Sequence, residues 1–214
     1  SSLQVARNQS TLKGADHEQL VLAILEKVHS PFQDIVSDTS QDKGDAGRKT
    51  GDFVVEVNSS IPLAEPLRVV VEAKNTKLSL SAALKELDTS MSNRSARVGV
   101  LVFNDVSQSP TNGQLLRIYP GNRIVVSFVE GQSMPVEVGF ALARNLALNS
   151  VARKEEDSEK IDIERIVNEI IEAMENSRRI SRHISSSRRS LDEIEGIYED
   201  LRTKILQSID GIVC

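Results

Sequence analysis

Apolar and polar positions follow two different rhythms along this chain. From about Leu12 to Asn149 short apolar runs alternate with helical stripes, and from about Glu155 to Ile212 one period runs with almost no turn residues. In the first region Leu20, Val21, Ile24, Leu25 and Val28 fall on one face of a helix predicted over Asp16 to Val28. Phe32 to Asp38 reads as a short strand, and the Val-rich stretches Asp52 to Val57 and Leu67 to Lys74 read as two more. Gln41 to Gly51 is rich in Gly, Asp and Lys, and Asn58 to Pro66 holds two Ser and two Pro, so both read as loops. Leu80, Ala83, Leu84, Leu87 and Met91 share one side of a helix predicted over Leu78 to Ser92. The nearly unbroken apolar run from Arg97 to Asn104 predicts a central strand. Arg123 to Glu130 follows as a strand and Pro135 to Leu148 as a helix. The order helix, three strands, helix, strand, strand, helix defines an α/β class with a mixed sheet between helices.

The second rhythm is that of a coiled coil. Alternating steps of three and four from Ile163 to Ile212 meet twelve apolar residues and three serines (Ser177, Ser187, Ser208) in fifteen positions, and no charge. A helix of fifty residues is a rod of roughly 75 Å, and it cannot bury its stripe alone. A parallel or antiparallel dimer is expected, with a hairpin folded near Ser185 to Ser187 as the rival. The charged stretch Ala152 to Ser158 reads as the junction. The expected organisation is therefore an α/β domain over residues 12–150 and a coiled-coil helix over 155–214, the latter making a homo-oligomer.

Composition narrows the classes of function. The 214 residues are 39% hydrophobic and 27% charged but only 3% aromatic, as expected for an aliphatic core joined to a coiled coil. No apolar run approaches the ~20 residues that cross a bilayer, so no membrane partner is expected. Ser1 to Lys13 lacks the apolar stretch of a secretory signal, and a chain opening on Ser reads as a segment of a longer one. The lone cysteine, Cys214, allows no internal disulfide, which points to a reducing, cytoplasmic setting. A net charge of −5 argues against a general nucleic-acid coat, although an enzyme gathering carboxylates around a metal would keep its basic groups local.

Chemistry concentrates in Gly51-Asp52 at a strand start and Glu72-Ala73-Lys74 at a strand end. Glu72 and Lys74 are two apart in a strand and share a face. An antiparallel hairpin centred near residue 62 would set Asp52 opposite Glu72, with Val69 and Val71 packing the other face. Two carboxylates and the Ala73 carbonyl form a hard-oxygen set suited to Mg²⁺ or Mn²⁺. Such an ion polarises a phosphate and activates a water. A lysine beside it orients or deprotonates that water, or neutralises charge on the phosphate. The competing reading is a surface salt bridge of strand-end charges, worth little. The neighbouring valines argue for a buried strand instead.

Asp52 followed by Glu72-Ala73-Lys74 resembles the PD-(D/E)XK phosphodiesterase superfamily, the restriction-endonuclease-like fold. The element order over roughly residues 14–130 is similar to that family's core. Gly51 stands where the family's namesake proline would precede Asp52. The resemblance implies Mg²⁺-dependent (or Mn²⁺-dependent) hydrolysis of nucleic-acid phosphodiesters, with DNA the expected substrate. It implies Asp52, Glu72 and Lys74 as catalytic residues and Glu18 on the first helix as a further metal ligand beside Asp52, Glu72 and Ala73. The alternative is a retired nuclease-like fold that serves as a coiled-coil scaffold.

Other residues carry weaker signals. Lys43, Arg48 and Lys49 in the loop before Asp52 are candidate phosphate contacts, as are Asn93 and Arg94 near the end of the second helix, where Arg94 would equally cap the helix. Glu86 could lie over the site, but reads first as an exposed helical charge. His17, His29 and His183 show no ligand spacing, and Gly44 to Gly47 lacks the lysine and hydroxyl that follow a phosphate-cradling loop. The arginines at 178, 179, 182, 188 and 189 are expected first to pair with acidic stretches of a partner helix, and second to bind nucleic acid.

Overall fold

A computed structural model describes residues 2–60, 62–128, 132–152 and 163–210, with side chains described from Asp16 onward in the first helix and over 165 and 168–204 in the last. The expected junction over 153–158 and the last position of the heptad series, Ile212, lie outside the described residues. The chain divides into two compact units, Ser1–Glu164 and Arg165–Cys214.

The first unit is an α/β fold around one six-stranded mixed sheet. Helix α1 (Ser2–His29) is followed by a 3-10 turn (Ser30–Phe32), β1 (Ile35–Asp38), β2 (Phe53–Glu56), β3 (Arg68–Lys74), α2 (Leu80–Asn93), β4 (Val98–Phe103), β5 (Leu116–Tyr119), β6 (Arg123–Ser127) and α3 (Met134–Ala152). The strands lie in the order β1-β2-β3-β4-β6-β5. The meander β1/β2/β3 and the hairpin β5/β6 are antiparallel, while β3/β4 and β4/β6 are parallel across the middle. All six residues of β4 are buried, the expectation for a central strand covered on both faces.

Side-chain alternation sorts the two faces. Gly99, Leu101 and Phe103 of β4 meet α2, where Ala83, Leu87, Tyr119 and Val125 complete a buried cluster. A side chain at position 99 would strike Met91 and Leu87, so the glycine lets α2 sit close. On the opposite face α1 and α3 pack against each other and the sheet. His17 is buried there and donates Nε2–H to the Val102 carbonyl at 3.1 Å, pinning α1 to β4.

Two differences from the sequence reading are instructive. The region after Phe32 begins with a left-handed Gln33 (φ 58°), so the strand starts only at Ile35. Strand β5 is an addition to the expected element order. Its signal is the Pro120-Gly121-Asn122 turn, where Gly121 (φ 82°) and Asn122 (φ 57°) supply the positive torsions a tight hairpin needs.

The second unit is dominated by α4 (Ile163–Asp210), 48 residues in one uninterrupted helix. The hairpin near Ser185 to Ser187 is therefore replaced by a continuous rod. Serines tolerate the helix, and no Pro or Gly stands in that stretch to break it. Ile180, Ile184, Leu191, Ile194 and Leu201 are each at least half exposed along it. Among the described residues no helix is long and apolar enough to cross a membrane.

Candidate functional site

The register of the β2/β3 hairpin brings the site together. Phe53 pairs with Val71 and Val55 with Val69, so one further step sets Asp52 opposite Glu72, the symmetry about residue 62. Asp52 lies just before β2, and its Oδ2 accepts the Ala73 N–H at 2.8 Å. Glu72 is 3% exposed in the middle of the sheet. Its Oε1 accepts the Gly51 N–H at 2.6 Å and a short hydrogen bond from the Ser90 hydroxyl of α2. Its Oε2 faces Lys74, 3.7 Å from Nζ, and Lys74 also forms a close ion pair with Glu86 of α2.

Electrostatics set this cluster apart. Burial pushes the Asp52 carboxyl above its ordinary range, and the charge of Glu18 adds to the push against Ala73 N–H and Lys74. Burial and then the repulsion of Asp52 raise Glu72, despite Ser90, Lys74 and Gly51. Burial opposes the charge of Lys74, but Glu86, Glu72 and Asp52 outweigh it and raise the ammonium's pKa. The lysine is thus held as a cation between carboxylates, and a role in deprotonating water gives way to one in neutralising charge.

The path into Asp52 is built by the end of α2. Asn93 donates Nδ2–H to the Arg48 and Thr50 carbonyls and accepts the Ala46 and Arg48 N–H groups. Arg94 is 7% exposed, and its guanidinium donates to the carbonyls of Thr39, Asp42, Thr50 and Gly51. These bonds turn Arg94, a candidate phosphate contact, toward the loop before Asp52, with its Nε and one terminal nitrogen engaged by loop carbonyls. Gly51 adopts φ 87°, and a Cβ there would strike Val70 and Arg94, so glycine is required immediately before Asp52.

Glu18, on the α1 face, acts on Asp52 through charge. Among the described residues no three Asp, Glu, His or Cys side chains stand close enough together to hold a metal ion. Lys43, Arg48 and Lys49 are exposed on the loop before Asp52, Lys43 beside a polar cleft of about 220 Å³ that Glu56 and Arg68 also line. Glu86, read first as an exposed charge, is instead drawn onto Lys74. The sequence offers no signal for Ser90, while Asn93, a candidate phosphate contact beside Arg94, holds the loop instead; both belong to the buried side of α2 with Ala83 and Leu87, where polar residues need a reason.

No family model matches the chain, and no curated protein and no solved structure matches it.

Proposed function

We propose that the α/β unit is a metal-dependent phosphodiesterase with a restriction-endonuclease-like fold, cleaving nucleic acid, with DNA the expected substrate. The observation that carries this reading is a pair of adjacent buried carboxylates, Asp52 and Glu72, both with raised pKa, beside a lysine kept charged. Buried like charges of this kind are costly unless a cation joins them, and they concentrate at functional sites. Their hard oxygens suit Mg²⁺ or Mn²⁺, with the Ala73 carbonyl as a further donor and Glu18 adding negative charge nearby. Such an ion polarises a phosphate and lowers the pKa of its water. Lys74 neutralises charge on the phosphate, while Gly51 N–H and Ser90 hold Glu72 in place. The exposed stripe of α4 supports a homo-oligomer that carries the site in several copies.

The competing reading is an inert scaffold, favoured by the close engagement of Lys74 with Glu86. Titration with Mn²⁺ separates the two: binding lost in Asp52→Ala and Glu72→Ala is expected, and no binding by the intact protein sinks the enzyme. A panel of linear, nicked, single-stranded and branched DNA with Mg²⁺ should be cut, with activity down about 10²–10³-fold in Lys74→Ala, the scale for one charge-stabilising group. Removing residues 155–214 should leave a monomer by light scattering.

A further inference from the structure

The rod carries a basic belt whose placement on the helix is as informative as its charge. At about 100° per residue, the seam residues Ile180, Ile184, Leu191 and Ile194 gather on one side of α4. Arg178, Arg182 and Arg189 fall within about 40° of one another on the opposite side, and Arg179 and Arg188 stand on the flanks. Arg179, Arg182, Arg188 and Arg189 are exposed, while Arg178 pairs with Glu175 at 3.8 Å. A helix packed on the seam lies across the rod from this stripe, so the acidic residues of a partner cannot reach it from there. The expectation of interhelical pairing therefore gives way.

We propose that this belt is a second nucleic-acid surface, gripping the phosphate backbone of a duplex that crosses the rod. Its occupant rests on the phosphodiesterase reading, but its geometry does not. From Arg178 to Arg189 the belt spans about 16 Å, close to the width of one duplex. Glu169, Glu172 and Glu175 precede it, and Asp192, Glu193 and Glu195 follow. Carboxylates at both ends repel a strand laid lengthwise and favour a crossing one. Ser185 and Ser186 sit among the arginines and leave room for the backbone to approach. Guanidinium groups engage phosphate oxygens bidentately, and each neutralised phosphate releases a counterion, so affinity falls steeply with salt.

The test measures binding of a labelled 30-base-pair duplex to the full chain in EDTA, so that neither metal nor cleavage enters. The quadruple variant R179Q/R182Q/R188Q/R189Q should bind at least tenfold more weakly, with the log–log salt slope reduced by about three to four. R182Q alone should reduce it by about one, equally for unrelated sequences. The oligomer's mass by light scattering should not change, because the seam is untouched. Unchanged affinity and slope in the quadruple variant overturn the proposal. A fall in mass overturns it too, by assigning the arginines to helix pairing. Failure of the phosphodiesterase reading would be seen separately, as absent Mn²⁺ binding and uncut DNA.

Discussion

Two buried carboxylate centres in the α/β unit solve the same problem in opposite ways. At the start of β1, Asp34 has a fully buried side chain, yet every oxygen is answered. Arg144 of α3 approaches both oxygens at 2.8 and 3.3 Å, His29 of α1 sits 2.7 Å away, and the Asn58 N–H donates at 2.8 Å. Burial works to raise its pKa, but Arg144, His29 and Asn58 outweigh it and the net shift is downward. At the other centre Asp52 and Glu72 face each other, and both shift upward. The first centre ties α1, β1 and α3 together. The second leaves charge unbalanced, which serves stability poorly and suits a cation or an anionic substrate.

The comparison can be broken from either side. Arg144→Ala strips Asp34 of its main partner and leaves a buried charge, so it should cost about 3–5 kcal/mol in denaturant unfolding. A loss below 1 kcal/mol would mean that the Asp34 centre is no better compensated than the other. Asp52→Asn should do the reverse and stabilise the fold by about 0.5–2 kcal/mol, the usual gain when a functional strain is relieved. The variant should also lose Mn²⁺ binding.

The pH dependence sharpens the contrast, because the signs oppose. Asp34 binds its proton less tightly folded than unfolded, so its stabilisation is present above the ordinary 3.8 and lost as pH falls through the lowered value. Asp52 and Glu72 bind theirs more tightly folded. Their favourable contribution is complete below the ordinary 3.8 and 4.5 and is lost as pH rises through the raised values. Wild type should therefore weaken relative to Asp52→Asn from pH 4 toward neutrality. Relative to Asp34→Asn it should weaken below pH 4. Parallel curves for the two pairs would refute the distinction. The smallest expected effect is that of Ser90→Ala, about 1 kcal/mol of stability. Without the hydroxyl, the carboxyl resonance of Glu72 should titrate still higher by NMR.

Part of this arrangement was legible in the order of residues. A strand's period of two put Glu72 and Lys74 on one face, and a loop between two Val-rich runs set Asp52 opposite Glu72 by counting alone. Heptad spacing likewise defined the seam of α4. What counting cannot supply is which helix lands on which face. Glu86 reads as an exposed charge because a helical carboxylate has no local reason to be elsewhere, yet α2 carries it onto Lys74. Arg94 reads as a phosphate contact because the loop carbonyls that its guanidinium engages begin 55 residues earlier.

The sequence by itself determined the periodic features: the strands, the hairpin register and the apolar seam, each written in neighbours a few residues apart. Only the tertiary structure decided the electrostatic ones. A pKa depends on what surrounds a carboxyl in three dimensions, and burial, a facing charge and a donor from another element all come from packing. Asp34 and Asp52 are the same residue type beside short strands, and distant partners alone make one a clasp and the other a candidate centre of chemistry.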